Sequence, residues 1–486
     1  MQIIDYITIS FLVIPLIVIV LNNLFSKQLS ERVCFYFAGA AAIVQMASSV
    51  ADFFLLTASR LHEYEFSLLW DLNTEGSEHF AVDSLSLVIL FCVGFVSFIS
   101  VLVANQTVEK KKTAYVSLLM TLMLGMNGIV LVTDLFSLYV FVEIVGISSF
   151  VLVSLFQTEK GLEGAFKYLV MSSLASVFML TGLAFIFMQT GSLQYSQPWM
   201  DILGAQGTSQ IYTYAAFILL LSGFAIKTGA VPFHSWLPDA HQSANTAVSI
   251  LLSGIVIKVA GIYGFIVIMD LFGDFPAVNM VIRIMGIVSI VVGALFAIRQ
   301  THFKRIVAYS SVSQMGYILL GVSTGTTLGL LGVIMHIFNH ATFKCTLFSN
   351  AAALHHRTGT LDINELGGLE KKMPVTGFSS ITAFLSTTGI PPFAGFWSKL
   401  LIVLALWNSN SQWFAAIALF SSIFTAAYFL RLQKKVFFGK LPDKFSEVTE
   451  IGGSIKFAEI ILTGVTILVG VGFPLVLLYL EGRGLL

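Results

Sequence analysis

Five ionisable side chains lie inside long apolar stretches: Glu143, Lys227, Lys258, Lys344 and Lys399. A charge at the centre of a bilayer costs at least about 3 kcal/mol, so such residues mark routes for protons or ions. Glu143 sits near the middle of its stretch, where a carboxylate needs a cationic partner or a proton. Lys227 follows Phe224-Ala-Ile just before a helix-breaking segment. Desolvation favours the neutral amine of a lysine and a neighbouring carboxylate favours its ammonium. A Glu143–Lys227 pair would therefore be a proton site adjustable by geometry. Lys258 stands mid-stretch, far from either loop, as a candidate relay. His340 and Lys344 are four residues apart and share one helix face, as a wet polar track would require. A metal is not expected there, since lysine is a poor ligand. Lys399 is placed to be the terminal proton donor or acceptor of the second half. His234 and His241, with Asp239 between them, are positioned to feed protons inward, an ordinary polar loop being the alternative. Asp83, Asp134 and Arg283 fall at stretch ends as interfacial anchors, and His302, Lys304 and Arg305 read as loop charges.

Two segments must position these groups. Gly229-Ala-Val-Pro232-Phe233-His-Ser-Trp236 interrupts one apolar stretch, and Gly389-Ile-Pro391-Pro392-Phe393-Ala-Gly-Phe-Trp397 interrupts another. Proline removes a backbone donor and clashes with the preceding turn, while glycine permits a bend. Both segments read G-x-x-P-F followed by Trp, 160 residues apart. Paired Gly/Pro interruptions in corresponding places point to a midplane site in a repeat-built transporter. Two ordinary proline kinks would explain the prolines, but not the lysine beside each. Unwound backbone at that depth has to line protein or water.

The elements that carry these segments are membrane helices. The chain has 486 residues, 57% hydrophobic and only 11% charged, against roughly 25% charged in soluble proteins. Its mean hydropathy is +0.89. At about 20 apolar residues per crossing, the sequence predicts about fourteen spans. They fall near 3–25, 34–57, 84–105, 114–133, 135–156, 164–190, 211–231, 247–271, 277–298, 304–322, 326–350, 374–404, 411–432 and 457–480. The first stretch lacks a basic leader and is too long for a signal core, so it reads as a first span. The fold class is an all-α polytopic membrane protein, and no loop is long enough to fold alone. The zero net charge gives nucleic acid no basic surface to bind. Cys34, Cys92 and Cys345 are isolated, which argues against iron–sulfur, zinc or disulfide chemistry. No nucleotide-binding loop, haem motif or nucleophile constellation appears, so no cofactor is expected in this chain.

Lys and Arg concentrate in alternate loops. With the N-terminus outside, 17 basic residues fall in inner loops, among them Lys110, Lys111, Lys112, Lys371, Lys372, Lys434 and Lys435, against Arg60 and Arg483 outside. Positive charge marks the cytoplasmic side, so both termini are expected on the outer side of the cell membrane. The acidic 58–79 loop, with Glu63, Glu65, Asp71, Glu75 and Glu78, then faces out.

Taken together, these residues resemble the antiporter-like subunits shared by respiratory complex I, Mrp-type cation/proton antiporters and membrane-bound hydrogenases. The resemblance rests on Phe141-Val-Glu143, the segment from Lys227 through Pro232 and Trp236 to His241, Arg305-Ile-Val-Ala-Tyr-Ser-Ser-Val-Ser-Gln-Met-Gly316, His340-Ala-Thr-Phe-Lys344 and Gly389-Ile-Pro-Pro-Phe-Ala-Gly-Phe-Trp-Ser-Lys399. It covers about four-fifths of the chain. It implies two inverted five-helix repeats, each with a broken helix, at 113–271 and 272–440, flanked by helices in 1–112 and 441–486. It also implies that Glu143 and Lys227 form a coupling pair, that Lys258 is the eighth-span relay and that Lys399 is its twelfth-span counterpart. Some shorter complex I members carry His at the Gln314 position and lack the lysine at 344, so the resemblance leans toward the D-type component of Mrp antiporters and the hydrogenase branch. The expected partners are other membrane subunits of one complex, lipid, and H+ with Na+ as a second cargo. The rival expectations are an autonomous solute transporter using the breaks as its substrate site, and a scaffold whose charges only hold partners.

Overall fold

The computed structural model describes residues 2–25, 31–60, 82–195, 208–272 and 276–481. The acidic 61–79 stretch and Arg483 lie outside the described residues. The helices are α1 (Gln2–Leu24), α2 (Glu31–Arg60), α3 (Ser84–Thr107), α4 (Lys112–Leu131), α5 (Leu135–Ser154), α6 (Glu159–Thr190) and α7 (Thr208–Thr228). A short α8 (Trp236–Ser243) and the long α9 (Thr246–Phe272) follow. The remainder are α10 (Pro276–Arg299), α11 (Phe303–Val322), α12 (Thr327–Thr358), α13 (Pro374–Thr388), α14 (Ala394–Asn408), α15 (Gln412–Val436) and α16 (Gly453–Glu481). Among the described residues there is no β-strand, only two isolated bridges.

Among the described residues, eleven helices are long and apolar enough to cross a membrane. α11 and α12 are comparably long but too polar to stand out, because Ser310, Ser311, Ser313 and Gln314 lie on one and His336, Asn339, His340 and Lys344 on the other. All of these side chains are buried, so polarity here faces protein. The predicted 374–404 span is two helices, α13 and α14, split at Gly389. α12 runs to Thr358, beyond the predicted end near 350, and stops at Gly359 in a left-handed conformation with φ 72°. Glycine adopts that conformation without a Cβ penalty, and it closes a helix C-terminus.

Polar side chains fix where several helices begin. Asp134 accepts from Ser137 N at 2.8 Å to start α5, and Thr326 accepts from Gly329 N at 3.1 Å to start α12. Asp83 does the same for α3 through Ser86 N at 2.6 Å. Small residues let helices approach closely. A Cβ on Gly316 of α11 would lie 2.4 Å from the carbonyl oxygen of Gly286 on α10.

The chain forms two compact units. The first comprises Met1–Val101, Lys110–Thr228 and Ile255–Phe275; the second comprises Leu102–Glu109, Gly229–Gly254 and Pro276–Leu486. In the first, α6 packs along α7 and α4 along α5; in the second, α10 packs along α11 and α14 along α12.

Candidate functional site

In the first unit, Lys227 occupies the last turn of α7 and is 3% exposed. Its Nζ donates to Glu143 Oε1 at 3.1 Å and to Ser172 Oγ at 2.7 Å. The glutamate comes from α5 and the serine from α6, so three helices converge on one ammonium group. Gly146, one turn beyond Glu143, keeps this space open: a Cβ there would stand 3.1 Å from Lys227 Nζ and 3.0 Å from Ser172 Oγ. The ion pair is asymmetric, with the lysine side chain 2% and the glutamate 25% exposed.

Lys258 lies on a stretch of α9 wound as π-helix, Leu252–Val256 and Lys258–Tyr263. Wide turns of this kind are rare and concentrate at functional sites. Lys258 is 1% exposed and lies within electrostatic reach of Cys92 on α3. Gly261 lets this stretch touch the end of α7, since a Cβ there would be 2.7 Å from Thr228 N and 2.3 Å from Thr228 Oγ1.

In the second unit the two breaks show the same backbone. Gly229 and Gly389 both have positive φ, 71° and 87°, and the Val231–Pro232 and Pro391–Pro392 bonds are both cis. Phe233 N donates to Ala230 O at 2.7 Å, and Phe393 N to Ile390 O at 3.1 Å. The sequence echo is thus a repeated turn. Lys399, on the first turns of α14, reaches back to the open end of α13. Its Nζ donates to Thr387 O at 2.8 Å and Thr388 O at 3.4 Å, and lies 4.5 Å from the centre of the Tyr317 ring. A cation at the C-terminal end of a helix meets its unpaired carbonyls and favourable dipole.

Lys344 on α12 donates to Val307 O at 2.7 Å and to Ser310 Oγ, both on α11. His340 is fully buried, with its ring 5.2 Å from that of Phe343 and 6.4 Å from that of His336. The structure therefore gives these two neighbours different surroundings. His234 is half-buried beside Phe296 and Tyr309. His241 is not in a polar loop: it lies on α8, is 1% exposed, and stacks on Phe348 at 5.0 Å. Asp239 pairs with Arg305 at 2.6 Å, which ties α8 to α11.

A model of the family described as "NADH:quinone oxidoreductase/Mrp antiporter, TM" matches residues 132–425. The chain belongs to this family. It is 30% identical over 392 residues to a Na+/H+ antiporter subunit of Alkalihalophilus pseudofirmus, covering 80% of the chain and 79% of that protein. It is 29% identical over 459 residues to an F420H2 dehydrogenase subunit of Methanosarcina mazei, covering 93% and 92%. Among solved structures, a chain of the membrane-bound sulfane sulfur reductase, an archaeal respiratory membrane complex, superposes with a TM-score of 0.86 at 27% identity, covering 98% of this chain and 96% of that one. A chain of the Mrp complex from Dietzia sp. DQ12-45-1b gives 0.85 at 25% identity, covering 99% and 97%. The chain is thus an antiporter-like, multi-pass membrane member of a family whose structural neighbours are subunits of larger complexes.

Residues that sequence reasoning passes over complete the picture. Lys304, which reads as a loop charge, is 3% exposed, and its Nζ donates to Ala244 O at the end of α8. His336 stands one turn before His340, with Nδ1 2.9 Å from Ser398 Oγ on α14. Its i,i+4 spacing to His340 is a signal the sequence does carry. Glu459 on α16 is 0% exposed. It does not stand out in the sequence because it lies only two residues inside the predicted span end.

Proposed function

We propose that the chain is a proton-translocating subunit of a multisubunit membrane complex, with Na+ as a second candidate cargo. In this reading about fourteen helices cross the cell membrane, both termini face outward, and two inverted five-helix repeats each carry one broken helix. Lys227 holds a proton taken up from the cytoplasmic side by way of His234 and His241. Lys258, His340 and Lys344 relay it, and Lys399 passes it outward. No cofactor is held by this chain, and the driving energy comes from partner subunits.

The observation that carries the reading is the contact between Lys227 and Glu143 at the end of α7. An opposite charge about 4 Å away is worth about 4 kcal/mol at an effective dielectric of about 20. A small outward movement of Glu143 removes much of that stabilisation and lets the buried ammonium give up its proton; its return reloads the site. A relative named as a Na+/H+ antiporter subunit supports H+ or Na+ as the cargo. The test is a Lys227→Ala substitution in the intact complex, with transport followed in sealed vesicles. Transport should be lost while the complex still assembles; wild-type transport would sink the reading.

A further inference from the structure

A second set of ionisable groups lies at the start of α13, away from the five charges discussed so far. Glu450, in the segment before α16, meets the first turn of α13. Its Oε2 accepts from Val375 N at 2.6 Å and Thr376 N at 3.3 Å, and its Oε1 from Ile451 N at 3.0 Å and Thr376 Oγ1 at 2.8 Å. With four donors aimed at it, this half-buried carboxylate accepts at each of these contacts in the arrangement seen. Glu459 lies behind it, wholly buried on α16, with Oε2 3.1 Å from the same Thr376 Oγ1. Its other oxygen, Oε1, faces the Asn350 amide at 2.7 Å, oriented so that the nitrogen donates.

A threonine hydroxyl carries one hydrogen. Thr376 cannot donate it to Glu450 and Glu459 at once, so the hydrogen in the longer contact belongs to Glu459. The chain of bonds runs from Glu459 O–H to Thr376 O–H to the Glu450 carboxylate. Burial agrees, because a carboxylate without a cationic partner is not tolerated in a dry interior. The charged groups nearby do not offer one. α13 carries no ionisable residue, Arg357 on α12 donates to the main-chain oxygen of Glu450 at 2.8 Å, and Lys399 on α14 is bound to Thr387 O and Thr388 O. Lys456 shares α16, three residues before Glu459, and is partly exposed where Glu459 is buried.

We propose that Glu459 is a proton-loading site, filled through Glu450 and Thr376, that serves Lys399 without passing through Lys227. When Glu459 gives its proton inward, one arriving at Glu450 reverses the chain: Glu450 O–H donates to Thr376, whose own hydrogen moves to Glu459. One proton enters, one leaves, and the hydroxyl ends with one hydrogen. α13 links the two ends. Thr376 lies in its first turn and Thr387, which binds Lys399, in its last, with buried Ser379, Ser380 and Ser386 between them. Eleven residues of helix separate the ends by about 16 Å.

This rests on the proton-carrying reading above, and the experiment separates the two. Infrared difference spectra of the full chain in lipid, wild type minus Glu459→Gln, should contain a protonated-carboxyl stretch that shifts in heavy water. Glu450→Gln should leave that band in place. Its absence from the wild type would show an ionised Glu459 and overturn the proposal. In vesicles holding the complex, Glu459→Gln should lose most transport although glutamine can still donate to Thr376. Wild-type transport with the band present would remove the loading role. Lys227→Ala judges the broader reading by itself and leaves the band unchanged.

Discussion

At the first break Lys227 precedes Gly229 by two residues and meets the Glu143 carboxylate; at the second Lys399 follows Gly389 by ten and meets the main-chain oxygens of Thr387 and Thr388. The backbones of the two turns are alike, yet the partners of the lysines differ in kind. A side chain can swing away, and a partly exposed glutamate has somewhere to go. The carbonyls at the end of α13 are fixed by the helix. In the proposed mechanism, charge on Lys227 is therefore open to control by a moving neighbour, whereas charge on Lys399 is held by standing dipoles. A tunable lysine suits coupling to a partner, and a fixed one suits storage.

The largest expected effect follows from that contrast. Glu143→Gln keeps the shape and removes the movable charge, so transport in vesicles should fall close to background while the assembled complex is recovered in normal yield. Lys399→Arg retains a cation that can still reach the Thr387 carbonyl and should keep measurable transport. If the two variants behave alike, the distinction between a controlled and a fixed lysine is wrong.

The next effect is on stability and concerns the second break. A Cβ on Gly395 would lie 1.8 Å from the carbonyl oxygen of Ser386, across the junction of α13 and α14. Backbone cannot yield as a side chain does, so Gly395→Ala should cost about 3 kcal/mol and lower the melting temperature and yield. At the first break a Cβ on Gly229 meets Leu237 Cδ1 at 2.7 Å, a movable group, and the main penalty is φ 71°. Gly229→Ala should cost about 1–2 kcal/mol. Thermal melts in detergent that rank these two in the opposite order would show that the junctions are not comparably packed.

Much of this is legible in the sequence, for definite reasons. The bilayer penalty makes Glu143, Lys227, Lys258, Lys344 and Lys399 conspicuous, and Gly/Pro clusters announce the breaks without structure. The meeting of Glu143 with Lys227 has no local sequence pattern behind it; the opposite signs of the charges and the family resemblance are what suggest it. Lys304 is misleading because Arg299 and Arg305 surround it, and a lysine among loop arginines looks solvated; its burial and its bond to Ala244 O show otherwise. The π-helical turns at Lys258 have no residue signature, since the change from the α period adds no particular side chain. Glu459 lies near a span end, where an acid is inexpensive, and its burial comes from α12 and α13 packing over α16.

A smaller effect belongs to Gly146. A Cβ placed 3.1 Å from Lys227 Nζ and 3.0 Å from Ser172 Oγ must move one or the other by a few tenths of an ångström. The ammonium ends a flexible chain, so Gly146→Ala should fold normally and reduce transport only in part. The informative readout is the pH profile, because the substitution disturbs the distance to Glu143 without removing it. An unchanged profile would mean that the pair tolerates displacement, which the proposed control by movement forbids.

The smallest effect separates the ion pair proposed to move protons from one that holds helices together. Asp239 and Arg305 meet at 2.6 Å with about a quarter of each side chain exposed, and Arg305 has further partners in Gln242 and Gln300. Such a pair is worth about 1 kcal/mol or less. Asp239→Asn should therefore lower the melting temperature slightly and leave transport near wild type, although Asp239 lies between His234 and His241. The Lys227 pair differs because its lysine is dry and its glutamate partly wet; here both partners are equally hydrated, and neither loses solvent when the other moves. Should Asp239→Asn stop transport in a complex that melts normally, Asp239 would have to be counted with His234 and His241 as part of the proton route, and Glu143 would no longer be the sole movable charge at the first break.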